Sequence, residues 1–284
     1  MSRRVFALEV EAAQARLLVL RMLRAGKSGH LGGALSCIDI LTALYFHTMN
    51  VDPERATDPG RDRFLLSAGH KAMAQYAVLA RRGFFDVDLL DTYGGFMSRL
   101  AGHPDMHKLP GVEANTGALG HGLAIAAGMA LGLKMANSDA RVFTLLGDGE
   151  LPEGSNWEGA SIAAHHRLNN LVAFVDVNDL QISGPTKEVM NMEPIADKFA
   201  AFGWDVCTID GNDMSEVIAA LDASSVSHTA PTVIVAKTTK AKGLRHLEGK
   251  TESHYWKPSP AECAEAEDEM RGRLVALAGG VGLR

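Results

Sequence analysis

The chain has 284 residues, 46% of them hydrophobic and 22% charged, with a net charge of −6. That composition is ordinary for a globular protein and carries no basic footprint for nucleic acid. Cys37, Cys207 and Cys263 lack the spacing of a zinc cluster or disulfide framework, Glu9 and Glu11 interrupt any export signal, and no uncharged apolar run reaches the ~18 residues of a membrane span, so a cytoplasmic, reduced protein is expected.

Leu8, Ala12, Ala15, Val19 and Met22 recur at helical spacing and predict a first helix that stops at Gly26. A glycine-rich turn over 27–33 follows, and a second helix is expected from about Ser36, which can cap it. Pro53, Pro59 and several charges make 51–61 a loop. Residues 64–66 are a short apolar run ending in Ser67-Ala68-Gly69-His70, and a helix is expected from there to about Arg82. Residues 94–122 are rich in glycine and histidine and aperiodic, and loops this long in a compact domain are commonly functional. A helix built on small residues starts at Leu123. Strands at 142–146 and 171–177 flank a helix at 156–166, and strands at 205–209 and 232–236 flank one at 214–223. A charged helical extension covers about 259–284. Strands alternating with helices predict a single α/β domain over 1–284, with a mostly parallel sheet and helices on both faces.

In such sheets ligands sit beyond the carboxyl ends of the strands. Asp148 follows the strand at 142–146, and Asn178 follows the strand at 171–177. A carboxylate and an amide oxygen at one edge suit magnesium or calcium rather than zinc, with the backbone carbonyl near Leu180 as a third donor and diphosphate and water completing the shell. Gly147 and Gly149 leave the backbone bare where a diphosphate would approach. Asn169 and Asn170 precede their strand and therefore belong to the opposite edge. Taken alone, Gly147-Asp148-Gly149 reads more readily as a plain turn than as a ligand site, and it is Asn178 on the next strand that points to a cation.

His30, His70 and His103 each follow a glycine at a loop or helix start. Imidazoles there suit proton transfer and hydroxyl recognition, although any one of them could simply cap a helix or face solvent. His165, His166 and His228 have only such plain readings. In the run 116–122, glycines allow close approach of a flat ring.

The stretch 147–158, GDGELPEGSNWE, continuing to 178–186, NDLQISGPT, resembles the thiamine-diphosphate motif of transketolases. The resemblance extends over nearly the whole chain, to the N-terminal, diphosphate-binding half found where transketolase is encoded as two polypeptides. It implies a thiamine-diphosphate-binding fold and a transferase that moves a two-carbon ketol unit from a ketose (phosphate) to an aldose (phosphate). It implies Mg2+ (or Ca2+) on Asp148, Asn178 and the Leu180 carbonyl, and cofactor contacts from His70, Gly117, Leu119, Gly147, Gly149, Glu150, Asn178 and Ile182. His30, His103 and His254 are implied to face the reacting carbonyl and sugar hydroxyls. The motif at His30 departs from the family in lacking a following proline, and His121 stands where many members carry glutamine. The resemblance also implies a partner, the C-terminal transketolase subunit, in an α2β2 assembly. That subunit would bring the pyrimidine-binding domain, the activating glutamate and the arginines for the substrate phosphate, with Glu153 and Glu158 near the interface. A 2-oxo acid dehydrogenase α subunit or another thiamine-diphosphate lyase is the alternative, disfavoured by three histidines suited to a polyol. A nicotinamide enzyme would need its glycine fingerprint directly after a strand, whereas the glycines at 117–122 follow a long loop.

Overall fold

The computed structural model describes residues 2–225 and 229–279, so His228 and the last five residues of the expected extension lie outside it. Helix α1 (Arg3–Gly26) is capped by the Ser2 hydroxyl, which accepts from the Val5 amide at 3.2 Å, and is ended by Lys27 in the left-handed region at φ 63°. Helices α2 (Leu31–Ser36) and α3 (Ile38–Ala43) follow. The second helix therefore starts earlier than expected, and Ser36 ends it rather than capping it. The cause lies in the turn before it. Gly29 is tied to Trp256 by a two-way backbone bridge (3.1 and 2.9 Å), which fixes the chain direction by Leu31. Ser36 instead turns its hydroxyl to the Gly33 carbonyl (2.9 Å) and to Asp176 (2.6 Å), the back-bonding that lets serine sit inside a helix.

The remaining elements are β1 (Arg63–Leu66), α4 (Ala72–Arg82), α5 (Gly122–Met135), β2 (Val142–Gly147), α6 (Gly154–His165), β3 (Leu171–Val177), α7 (Thr186–Val189), α8 (Ile195–Ala201), β4 (Asp205–Asp210), α9 (Met214–Ser224), β5 (Thr232–Lys237) and α10 (Pro260–Gly279). The expected strands and helices match these within a few residues. The short helices α7 and α8 carry too few periodic positions to be read from sequence; α8 is held by burial of Ile195 and Phe199.

Among the described residues five strands form one sheet in the order β1-β2-β3-β5-β4, with every pairing parallel. Successive side chains on a strand point to opposite faces, and two cores result. On one face Phe143, Leu145, Val172, Phe174 and Ile234 pack with α1, α3, α4 and α9. On the other, Val142, Leu171, Ala173, Val175 and Val233 pack with α5, α6 and α8. Helix α10 docks on α1, burying Ala266 and Met270 in the first core, with an Arg24–Glu267 ion pair at 2.9 Å. Among the described residues no helix is long and apolar enough to cross a membrane.

Phe174 is fully buried on the central strand. Phe174→Ala should cost about 3–5 kcal/mol of stability, read as a shift of the urea unfolding midpoint at unchanged slope; a shift worth under about 1 kcal/mol would show that this face of β3 is not the packed centre.

Candidate active site

The carboxyl edge of the sheet is formed by the ends of β1, β2, β3 and β5. The pairing of Gly147 with Asp176 brings the residues that follow β2 and β3 side by side. Asp148 sits there 5% exposed, its Oδ1 accepting from the Gly149 amide at 2.8 Å and its Oδ2 from the Asp179 amide at 2.7 Å. Asp179 lies in the left-handed region at φ 62°, a conformation aspartate tolerates better than most residues. The turn it makes joins Asn178 to Leu180, whose amide donates to Asn178 Oδ1 at 3.3 Å. Asn169 and Asn170 lie at the opposite end of β3, where the Asn170 carbonyl accepts from the Val142 amide.

This corner opens into a cleft of about 360 Å3 lined by His30, His70, His103, Gly117, Leu119, Gly147, Asp148, Gly149, Glu150, Asn178, Leu180, Ile182 and His254. Every candidate site residue named from the sequence therefore borders one cavity. The imidazoles cluster: His30 lies with its ring centroid 5.5 Å from His70, 5.8 Å from His103 and 5.5 Å from His254, and His70 stacks on His254 at 5.5 Å. The Gly29–Trp256 bridge holds the His30 and His254 segments together and sets Tyr255 edge-on to His30 at 4.9 Å. His103 is placed by Tyr76, whose hydroxyl donates to the carbonyls of Ala101 and His103, both at 3.0 Å. Its ring covers Gly117, where φ is +140° and a Cβ would stand 2.9 Å from His103 Cδ2, so only glycine fits there.

Glu150 plays a different part from a ligand contact. Its carboxylate is 1% exposed and accepts from the Ser67 hydroxyl at 2.5 Å, the Gly120 amide at 2.9 Å and the Gly147 amide at 3.1 Å. One side chain thus binds together the turns after β1 and β2 and the start of α5. Burial pushes its pKa up, against those three donors. Glu153 and Glu158 are exposed at the start of α6, and His121 is exposed with Nδ1 3.1 Å from the Leu119 carbonyl.

Four groups at this edge have no counterpart in the sequence-derived set. Lys71 is 1% exposed and donates to Asp176 at 2.5 Å; burial works against its charge, but Asp176 more than offsets this and holds the ammonium above its ordinary range. Asp176 is itself fully buried. Lys240, after β5, donates to the Leu180 carbonyl at 2.9 Å and lies 3.1 Å from His254 Nδ1. Burial, with Lys71 nearby, pulls its pKa down to about 8. Gln181 has a buried Nε2 without a hydrogen-bond partner among the described residues and packs against Gly149. The lysines were findable from the turns that leave β1 and β5, just as Asp148 and Asn178 come from the turns that leave β2 and β3.

The donor chemistry suits a diphosphate with a divalent cation. Burial, then Asp176, raises the Asp148 pKa to about 6, a penalty on its charge that a cation would relieve. Asn178 Oδ1 and the Leu180 carbonyl add neutral oxygens. Among the described residues no group of three or more His, Cys, Asp or Glu side chains is arranged for a metal, so a cation here would rest on mixed side-chain and backbone oxygens. Lys240 and the orphaned Gln181 donor face the same space and suit anionic oxygens.

Residues 9–270 match the family model described as transketolase, thiamine diphosphate binding domain. The chain belongs to the transketolase family. It is 41% identical over 273 residues to an apulose-4-phosphate transketolase subunit from Phocaeicola vulgatus, covering 96% of this chain and 97% of that one. It is 40% identical over 269 residues to the 6-deoxy-6-sulfo-D-fructose transketolase subunit of Clostridium sp. strain MSTE9, covering 92% and 98%. The transketolase structure from Campylobacter jejuni superposes with a TM-score of 0.88 at 33% identity, covering 96% of this chain and 43% of that one. This transketolase chain thus spans nearly all of relatives that are subunits and under half of the Campylobacter jejuni transketolase chain.

Burial also governs how the transketolase cleft responds to pH. It lowers the pKa values of His30 and His254 to about 4, with His103 and Lys240 adding to the shift at His30 and Lys240 and His30 at His254. The unfolded chain therefore binds protons between pH 6.5 and 4 that the folded chain refuses, so stability rises with pH across that window and is flat with respect to these groups above it. Unfolding midpoints for wild type and His30→Gln/His254→Gln should converge as pH falls toward 4; parallel profiles would contradict neutral, buried imidazoles.

Proposed function

We propose that this chain is the cofactor-binding subunit of a two-chain transketolase that moves a two-carbon ketol unit from a ketose phosphate to an aldose phosphate. One observation carries the reading: the Asp148–Asn178 oxygen corner and the His30, His70, His103 and His254 cluster share one cavity. The near full-length likeness to relatives named as transketolase subunits supports the two-chain form.

Asp148, Asn178 and the Leu180 carbonyl hold Mg2+, with Ca2+ an acceptable substitute for an oxygen donor set. His70, Lys240 and the unpaired Gln181 amide hold the diphosphate oxygens. Gly117, Leu119 and Ile182 bed the ring, while Gly147, Gly149 and Glu150 keep the backbone turns open to it. Thiamine diphosphate, when bound, supplies the nucleophilic carbon and the electron sink.

The chain's own residues then orient the sugar and manage protons. His30 and His254 stay neutral near pH 7, so each offers one donor and one acceptor to sugar hydroxyls. His103 lies at the more open side, its pKa lowered by partial burial, and is placed to exchange a proton with the oxygen of the reacting carbonyl. Tyr76 fixes its backbone, so that the ring moves little between donor and acceptor half-reactions.

The open side of the cleft is where a C-terminal transketolase subunit docks, bringing the pyrimidine-binding domain and the residues that hold the substrate phosphate, in an α2β2 assembly. Glu153 and Glu158, exposed beside the Gly120 turn, lie at that interface. The free thiols of Cys37, Cys207 and Cys263 agree with a cytoplasmic setting.

Ketol transfer should be undetectable with the chain, cofactor and Mg2+ alone and appear on adding the C-terminal subunit. In that assembly His103→Ala should lower turnover by about 10²-fold or more at nearly unchanged cofactor affinity. Full turnover without a partner would overturn the two-chain reading, and an unchanged rate would remove His103 from the chemistry.

A further inference from the structure

Lys71 is a buried lysine that the cofactor and sugar roles above leave unused. Its ammonium lies at the cleft floor, donating to Asp176 Oδ2 at 2.5 Å. Asp176 does not depend on it for hydrogen bonds, since Ser36 Oγ donates to the same oxygen at 2.6 Å and Thr238 Oγ1 donates to the other. An ammonium has three N–H donors, and among the described residues Lys71 Nζ makes no hydrogen bond besides the one to Asp176. The wall between it and the cleft is made of glycines. A Cβ on Gly147 would stand 3.5 Å from Nζ, and one on Gly33 would stand 3.2 Å from the Lys71 Cε. Neither exists, so the lysine borders the cavity together with Gly33, Gly147 and Asp148. Burying an ion pair costs more desolvation than the pair returns unless further partners satisfy it, and an anion in the cleft would be such a partner.

We propose that Lys71 is a diphosphate-binding residue: through the gap left by Gly33 and Gly147 its ammonium donates to a phosphate oxygen, and Asp176 anchors it from behind. The assignment rests on the thiamine-diphosphate reading above. It joins the anion to the sheet through a continuous chain, from diphosphate to Lys71 to Asp176 to Ser36 and Thr238. It also couples metal to cofactor. A positive charge beside Asp148 opposes a cation that arrives alone and favours one that arrives with its diphosphate.

The test is calorimetric titration of the purified full-length chain with thiamine diphosphate in Mg2+, with inorganic pyrophosphate, and with Mg2+ alone. Lys71→Met should weaken both diphosphates by about 10- to 100-fold, the range for a hydrogen bond to a charged group, while Mg2+ alone binds no less tightly. Lys71→Met leaves Asp176 buried without a counter-charge and can misfold, so Lys71→Met/Asp176→Asn is measured beside it, with thermal melting as the folding check. The double variant should fold and stay as weak for both diphosphates as the single one. Recovery of wild-type affinity in the double variant would show that Lys71 only neutralises Asp176 and would overturn the proposal, as would undiminished affinity in the single variant. A wild-type chain that binds pyrophosphate through Lys71 but shows no preference for thiamine diphosphate would overturn the cofactor reading and leave the Lys71 assignment standing.

Discussion

The parallel pairing of β2 with β3 is the constraint on which the site depends. In a parallel ladder both chains leave the sheet at the same edge, and the register of Gly147 against Asp176 puts Asp148 and Asn178 next to each other. A slip of one residue would turn every side chain on β3 to the other face, exchanging Phe174 for Val175 between the two cores. The largely apolar, fully buried interiors of both strands therefore hold Asp148 and Asn178 in register, although neither residue lies within the strands themselves.

Around that edge the chain buries an unusual density of charge: Asp148, Glu150, Asp176, Lys71 and Lys240 are all 5% exposed or less. Each is tolerable because it is paired or hydrogen-bonded. Glu150 takes two backbone amides and a hydroxyl, Asp176 takes two hydroxyls and an ammonium, and Asp148 takes two amides. The two lysines sit on either side of the oxygen corner, so the cleft floor is polar without being strongly of one sign. Such a floor suits a metal–diphosphate pair, whose own charges are opposed. The histidines above it are different in kind. Burial keeps His30 and His254 neutral, which suits the recognition of hydroxyls.

The sheet and the meeting of Asp148 with Asn178 at one edge are legible in the sequence because each rests on a local pattern: apolar runs of strand length, each ending in a polar residue or glycine, alternating with helices. The clustering of four histidines was not readable from spacing, because it depends on the Gly29–Trp256 bridge, which joins segments more than two hundred positions apart. Resemblance to transketolases supplied His254, and the structure supplies the reason it is near His30. The sequence pattern points to a cap at Ser36, but its hydroxyl is committed to Asp176, a contact no helix-cap pattern reveals. Lys71 and Lys240 carry no signal of burial in the sequence, because a lysine in a polar loop ordinarily belongs to the surface, and only the fold shows both to be buried.

In the proposed function Asp148 and Asn178 grip one divalent cation together with the diphosphate of thiamine. Its most direct test is titration of the chain with thiamine diphosphate in Mg2+ and again in excess chelator, for wild type and for Asp148→Ala. Tight, metal-dependent binding to wild type and loss of the metal dependence in the variant are expected. Equal affinity in the presence and absence of Mg2+ for wild type, or an intact metal effect in Asp148→Ala, would contradict it.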